Sequence, residues 1–348
     1  MNGKKKTMRA VIEIIIAVLV IIAVYFIIRG MDRHDVRIRQ AATENEMQRV
    51  WKEFQEKPVS IKLHKKNWKF AHPVQTYLFI GTDKSGNEDA SGEEYRGSMA
   101  DALMLVVVDE EEKTYGILQL NRDTITEVPM LLQDGSANAS AQMQLCTAHW
   151  YGKDKAASCG NTVETVSKML GGLPIDGYYA LKMDAMPLLN HEVGGVTVTL
   201  EDDMTKLDPA MKKGATLTLT DRQAELLMQS RYAMDDDRNT QRMRRQQIFL
   251  NAFMKKIKKQ NAGDVNATVK LYDRLRPYAT TDIKMNDLTA LLKDMQGYTD
   301  KGIITIDGTS KIGEKLHDGK KHWEFYMDED SLETSMKQLY PLVQEKGK

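Results

Sequence analysis

The chain has 348 residues, 42% of them hydrophobic and 28% charged, which is the make-up of a folded globular protein rather than a disordered one. Its 49 Lys and Arg balance its 49 Asp and Glu, so a general nucleic-acid binder, which would carry a basic excess, is disfavoured. The length accommodates one large domain or two ordinary ones.

Residues 1–9 carry Lys4, Lys5, Lys6 and Arg9 and no acid, and Ala10 to Ile28 is then apolar except for Glu13. As a helix this run spans about 28 Å, the hydrocarbon thickness of a bilayer. No small-x-small cleavage site follows, so the expectation is an uncleaved signal anchor with residues 1–9 in the cytoplasm and the rest outside. Residues 29–72 are polar, with Trp51, Phe54 and Trp68 among charges, and read as an extracellular stalk ending at His72-Pro73. The working domain is expected over 73–341, followed by a short tail at 342–348.

Tyr77 to Ile80 is a buried-strand candidate, followed by a Gly-, Ser-, Asp- and Glu-rich loop, GTDKSGNEDASGEEYRG. Leu103–Asp109 and Tyr115–Asn121 form an expected hairpin, apolar on both faces, which implies a sheet covered on each side. Asn161-x-x-Glu164 reads as a capping box, with Gly171-Gly172 as the stop. Gly177–Met183 and Val196–Leu200 read as strands. Thr220-x-x-Gln223, Asn286 and Asp330-x-x-Glu333 each open a helix. Strands alternating with helices predict an α/β fold, an α-β-α sandwich around a central mixed sheet.

Cys146 and Cys159 are the only cysteines, and a pair closing a short loop fits a disulfide in an oxidising compartment. Two reduced structural cysteines are the alternative. Cys146 and His149 also make a C-x-x-H, but a zinc site built on it lacks an obvious fourth ligand.

Three groups of polar residues point to chemistry. Arg231 to Gln247, RYAMDDDRNTQRMRRQQ, holds five arginines, and Arg238, Arg242 and Arg245 recur at helical spacing ahead of the apolar run IFLNAFM. Arginine forks on a packed helix suit a phosphate or pyrophosphate, against the bland alternative of a solvated basic face. Arg122-Asp123-Thr124 follows a strand, where α/β sheets place their ligands, although an Arg–Asp pair that only staples a loop has the same sequence. Asp83 and Asp101 sit at strand ends and converge if the strands are neighbours. Two carboxylates facing arginines suit Mg²⁺, which binds few protein carboxylates plus substrate phosphates.

GTD, ADALMLVVVD, LNRDT, LLMQSRY and R-x-x-RQQ, together with PIDGYYALKMDAM and GGVTVTL, resemble in order and spacing the LytR–CpsA–Psr family of cell-wall proteins, over about residues 74 to 255. The resemblance implies an α-β-α domain that binds polyprenyl pyrophosphate in an apolar groove. It implies transfer of a lipid-linked glycopolymer, such as teichoic acid or capsule, onto peptidoglycan with release of polyprenyl phosphate. By resemblance Asp83 and Asp101 match the Mg²⁺-associated aspartates, and Arg122, Arg231, Arg242 and Gln246 match pyrophosphate-binding positions. Arg238 and Arg245 are further candidates for the same ligand. Arg122, Asp123 and Arg231 are the candidates for the chemistry, Asp123 to orient an arginine or accept a proton. Met99 and Ala233 stand where the family often carries arginines. Competing classes are a non-catalytic receptor for lipid-linked wall precursors and, on Asp83-Lys84-Ser85-Gly86 alone, a phosphoaspartyl enzyme. A cytoplasmic DNA-binding regulator is opposed by the anchor and the zero net charge.

Overall fold

The structure is a computed structural model that describes residues 59–132, 134–182, 185–230, 238–260, 274–283 and 298–345. The expected membrane span at 10–28, most of the stalk, Arg231 and the helix expected at Asn286 lie outside the described residues. Among the described residues no helix is long and apolar enough to cross a membrane.

In chain order the strands are β1 (Ser60–Leu63), β2 (Lys66–Phe70), β3 (Gln75–Thr82), β4 (Ala100–Asp109), β5 (Thr114–Leu120), β6 (Ile125–Leu131) and β7 (Ala137–Gln144). A 3₁₀ turn, Leu145–Trp150, leads to helix α1 (Lys155–Met169), β8 (Gly177–Lys182), α2 (Met186–Glu192), β9 (Thr197–Thr199), β10 (Thr216–Thr218), α3 (Asp221–Gln229) and α4 (Asn239–Gln260). The chain closes with β11 (Ala279–Thr281), β12 (Thr299–Thr305), β13 (Gly308–Gly313), β14 (His322–Met327), α5 (Glu329–Leu339) and β15 (Leu342–Gln344).

Six strands form the central sheet in the order β11-β8-β3-β4-β5-β12. The β3–β8 and β5–β12 pairs are parallel, and β8–β11, β3–β4 and β4–β5 are antiparallel, so the sheet is mixed. All ten residues of β4 are buried, as a strand apolar on both faces requires. Thr76 and Gly116 point to one face, where they meet Tyr340 and Leu339 at the end of α5. Gln119, of opposite parity along its strand, points to the other face and meets Gln246 and Gln247 of α4. Helices thus cover both faces of the sheet, and Leu78, Leu103, Leu105, Leu118, Phe249 and Phe253 are among the residues closing one continuous core.

Local signals held where the side chain had one partner to choose. Thr220 and Gln223 form the reciprocal capping box of α3, and Gly171 and Gly172 take positive φ after α1. Asn161 behaves differently. Helix α1 starts seven residues earlier than its capping-box reading, with the Asp154 side chain accepting from Ala157 N. Asn161 lies inside the helix, where its amide donates to the carbonyls of Pro129 and Ala148 and docks α1 on the β6–β7 hairpin. The α5 cap is Asp328 rather than Asp330. Residues 60–70, read as stalk, form β1 and β2. These pair with each other, β2 also pairs with β15 from the expected tail, and Ile61, Leu63, Trp68 and Phe70 join the core. Val196–Leu200 yields only the short β9, which pairs with β10 outside the main sheet.

Candidate functional site

The C-terminal ends of β3 and β5 and the start of β4 lie at one edge of the sheet, and Asp83, Asp101, Arg122, Asp123 and Arg242 gather there. Asp83 follows β3. Across from it the β3–β4 register slips, Gly81 pairing with Ala102 and Thr82 with Ala100, so Asp101 is the extra residue of a bulge. Bulges re-aim a side chain, and here the result is a carboxylate turned towards two arginines.

Arg122 Nη1 is in direct contact with Asp101 Oδ1, and Arg242 Nη1 lies 3.6 Å from Asp101 Oδ2. Arg242 Nη2 also donates to the Asp101 carbonyl at 3.1 Å. All three residues are buried, Asp101 at 2% exposure, Arg122 at 7% and Arg242 at 1%. Arg122 Nε is 3.3 Å from Asp123 Oδ1, and Arg122 Nη2 donates to the sulfur atoms of Met99, at 3.0 Å, and Cys146, at 2.9 Å. Burial on its own would lower the Arg122 pKa. The Cys146 sulfur, then Asp123 and Asp83, outweigh it and raise the value, so the guanidinium stays charged.

Two asparagines that sequence reasoning missed carry the second layer. Asn239 Oδ1 accepts from Arg242 Nε at 2.9 Å, and Asn239 Nδ2 donates to Asn121 Oδ1 at 2.8 Å. Asn121 Oδ1 also accepts from Asp123 N at 3.0 Å. The end of β5 and the start of α4 are therefore tied by one buried amide chain. The available signal was position: Asn239 opens the arginine helix and Asn121 directly precedes Arg122.

Asp83 is half-buried, and its Oδ1 accepts from Ser85 N at 2.8 Å, Ser85 Oγ at 2.6 Å and Met99 N at 2.9 Å. Gln246, one turn after Arg242, accepts from Gln119 at 2.7 Å, while its own Nε2 is buried with no hydrogen-bond partner among the described residues. A buried donor of that kind carries a desolvation cost that a ligand oxygen would relieve.

Two expectations are corrected. Arg245 is buried, but its guanidinium is spent elsewhere: Nε donates to Leu227 O at 3.1 Å, Nη2 to Ser230 O, and Nη1 pairs with Asp202 at 2.6 Å. It fastens α4 to the end of α3, because the carbonyls of Leu227 and Ser230 there lie within its reach. Cys146 and Cys159 are both buried and do not form a disulfide. Cys146 faces Arg122 from the 3₁₀ turn, and Cys159 faces His149 from inside α1, at 3.5 Å from its Nε2. Arg238 is exposed just ahead of α4.

Asp83 and Asp101 offer hard carboxylate oxygens, and among the described residues no group of three or more His, Cys, Asp or Glu could hold a metal. So sparse a set does not suit a closed zinc site. It fits Mg²⁺, which retains waters and takes further oxygens from a phosphate. The described charges, two guanidiniums against the carboxylates of Asp83, Asp101 and Asp123, do not by themselves favour an anion. A divalent cation would reverse that balance.

The LytR_cpsA_psr family model matches residues 36–340. The chain is 26% identical over 275 residues to the polyisoprenyl-teichoic acid–peptidoglycan teichoic acid transferase TagV of Bacillus subtilis, covering 77% of this chain and 63% of that protein. It is 25% identical over 250 residues to biofilm regulatory protein A of Streptococcus mutans, covering 67% of this chain and 58% of that one. It thus spans about three fifths of the length of these curated relatives. The crystal structure of B. subtilis TagV superposes with a TM-score of 0.55 at 25% identity, covering 76% of this chain and 95% of that one. A structure of TagT bound to LI-WTA shares the fold, with a TM-score of 0.52 at 19% identity over 76% of this chain and 90% of that one.

Proposed function

Because the chain belongs to the LytR–CpsA–Psr family, we propose that it is a membrane-anchored extracytoplasmic phosphotransferase that moves a polyprenyl-pyrophosphate-linked glycopolymer, a teichoic acid, capsule or similar polymer, onto peptidoglycan. The observation that carries this is the convergence of Arg122 and Arg242 on Asp101, beside Asp83, at one sheet edge. The curated relatives TagV and TagT are named as teichoic acid transferases acting on peptidoglycan, which supports the same class of reaction here.

In the reaction a sugar hydroxyl of peptidoglycan attacks the phosphorus that bears the glycopolymer. A new P–O bond forms, the pyrophosphate bridge breaks, and polyprenyl phosphate leaves, taking up the proton that the attacking hydroxyl gives up. Arg122 and Arg242, joined by Arg231 on the family resemblance, bind the pyrophosphate and neutralise the charge that builds on the departing phosphate. Their value lies in being fixed beforehand. The Asn121–Asn239 chain holds Arg242, and Asp123 holds Arg122 by its Nε edge, so little reorganisation is left to the reaction. Gln246 Nε2 supplies a further neutral donor. Asp83 and Asp101 would hold a Mg²⁺ ion, which would supply positive charge to the phosphate oxygens. Asp123 serves chiefly to orient Arg122. The apolar run at 10–28 keeps the domain at the membrane surface where its lipid-linked donor resides.

The test uses the full chain in detergent micelles with a polyprenyl-pyrophosphate-linked saccharide, peptidoglycan fragments and Mg²⁺. Polyprenyl monophosphate release and the acceptor's mass are followed, with Asp101→Asn as control. Acceptor-dependent release that the variant loses supports the transferase. Tight donor binding without turnover, across several saccharides, would instead make the protein a receptor for wall precursors.

A further inference from the structure

The C-x-x-H of the 3₁₀ turn has no part in the reaction proposed above, yet it touches both halves of the site. Leu145 N donates to Thr124 O at 2.8 Å and Cys146 N to Arg122 O at 3.0 Å, so the turn is laced to the segment after β5. The Cys146 sulfur accepts from Arg122 Nη2. Three residues on, the ring of His149 faces the opposite way. Its Nδ1 is 2.9 Å from Ser98 O, which can only accept, so Nδ1 carries the proton and Nε2 presents its lone pair to Cys159, at 3.5 Å. Ser98 N in turn donates to Glu88 at 3.1 Å, and Gly97 N to Trp150 O at 3.3 Å. A Cβ at Gly97 would collide with the His149 carbonyl, so the loop lies directly on the turn. The next residue, Met99, gives its N–H to Asp83 Oδ1 and its sulfur to Arg122 Nη2.

We propose that Cys146 and His149 act as one positioning clamp, Cys146 locating the Arg122 guanidinium and His149 locating the Asp83 loop, so that a single rigid turn sets the spacing of arginine and carboxylate in the pyrophosphate site. The clamp rests on the assignment of that site made above. Both side chains are buried, Cys146 at 0% and His149 at 2% exposure, so neither shifts without moving its partner. Burial also lowers the His149 pKa against the opposing pull of Glu88, Ser98 and Asp83, which favours the neutral tautomer. The choice of sulfur has a consequence. Thiol and thioether are weak acceptors, so Arg122 Nη2 is located without being spent and exchanges sulfur for phosphate oxygen at little cost. Nη1 and Nε stay with Asp101 and Asp123.

The test compares variants that keep or delete each hydrogen-bonding atom, in the full chain in micelles. His149→Asn keeps a donor near the Nδ1 position and His149→Leu does not; Cys146→Ser keeps an acceptor and Cys146→Ala does not. Without ligand, amide hydrogen exchange over residues 83–99 is expected to rise at least tenfold in His149→Leu and to stay within about threefold of wild type in His149→Asn. With geranylgeranyl pyrophosphate as probe, Cys146→Ala is expected to raise Kd about fivefold with or without Mg²⁺. His149→Leu is expected to remove mainly the increment that Mg²⁺ adds, and Cys146→Ser to restore wild-type affinity. That division between metal-independent and metal-dependent loss is not what deletion of ordinary core packing produces. Equal behaviour of His149→Asn and His149→Leu in exchange would overturn the clamp, as would identical binding losses from both deletions. Wild-type protein that binds no pyrophosphate would sink the site assignment instead, and the ligand-free exchange comparison would still decide whether His149 holds the loop.

Discussion

Replacing Arg122 by Met leaves the buried Asp101 carboxylate with Arg242 alone, 3.6 Å away through Nη1. Removing one partner of a buried pair costs about 3–5 kcal/mol, most of it the penalty of the charge left behind. Asp101 has an escape, because it can take up a proton. Lifting a carboxyl pKa from about 3.9 to 7 costs about 4 kcal/mol, which caps the penalty at neutral pH, and the remaining Arg242 brings the expectation to about 3 kcal/mol. For a domain of this size that lowers Tm by about 6–9 °C. Protonation of the stranded carboxylate is the relief open to the folded variant. The penalty therefore shrinks as pH falls from 7 towards 5 and grows as pH rises. Urea denaturation of wild type and variant at pH 5, 6 and 7 measures it, and Asp101→Asn in the Arg122→Met background should recover much of the loss. A penalty below about 1 kcal/mol, independent of pH, would refute the claim that Asp101 is a buried carboxylate held by this arginine.

Arg245→Met should destabilise the fold by about 2–4 kcal/mol, since it strands Asp202 and two carbonyls. The folded fraction should still bind geranylgeranyl pyrophosphate within twofold of wild type by calorimetry; a tenfold loss would return Arg245 to the ligand site. Thr220→Ala removes the reciprocal cap of α3 and should cost about 1 kcal/mol in urea denaturation. Burial depresses the His149 pKa in the folded state, so the unfolded chain binds the proton first as pH drops below about 6.5. Stability should then fall with pH by up to about 1.4 kcal/mol per unit below that point, and His149→Asn should abolish this part of the slope.

The sequence by itself determined those features whose cause is local. Two-sided apolar runs at 77–80, 103–109 and 115–121 require a covered sheet wherever the rest of the chain goes, and β3, β4 and β5 are its centre. Thr220 with Gln223 and the Gly171-Gly172 pair act within one helix turn, and both ends form as read. Spacing put Arg238, Arg242 and Arg245 on one helix face, of which Arg242 reaches Asp101, the family resemblance added Gln246, and strand ends put Asp83, Asp101 and Arg122 at one edge. Tertiary structure decided every case in which a side chain had competing partners. Arg242 and Arg245 have the same chemistry, and only the position of α3 sends one to Asp101 and the other to Leu227, Ser230 and Asp202. Asn161 has the composition of a cap, but the carbonyls of Pro129 and Ala148, brought near by a hairpin with no clear sequence signal, claim its amide. The two cysteines are close enough in sequence to bridge, but Cys146 turns to Arg122 and Cys159 to His149. Residues 60–70 form a strand pair whose second member, β2, also pairs with 342–344, far along the chain. Propensity and periodicity act over a turn or a strand, whereas a polar side chain goes to the partner that best offsets its burial, and that partner is set by the packing of distant elements.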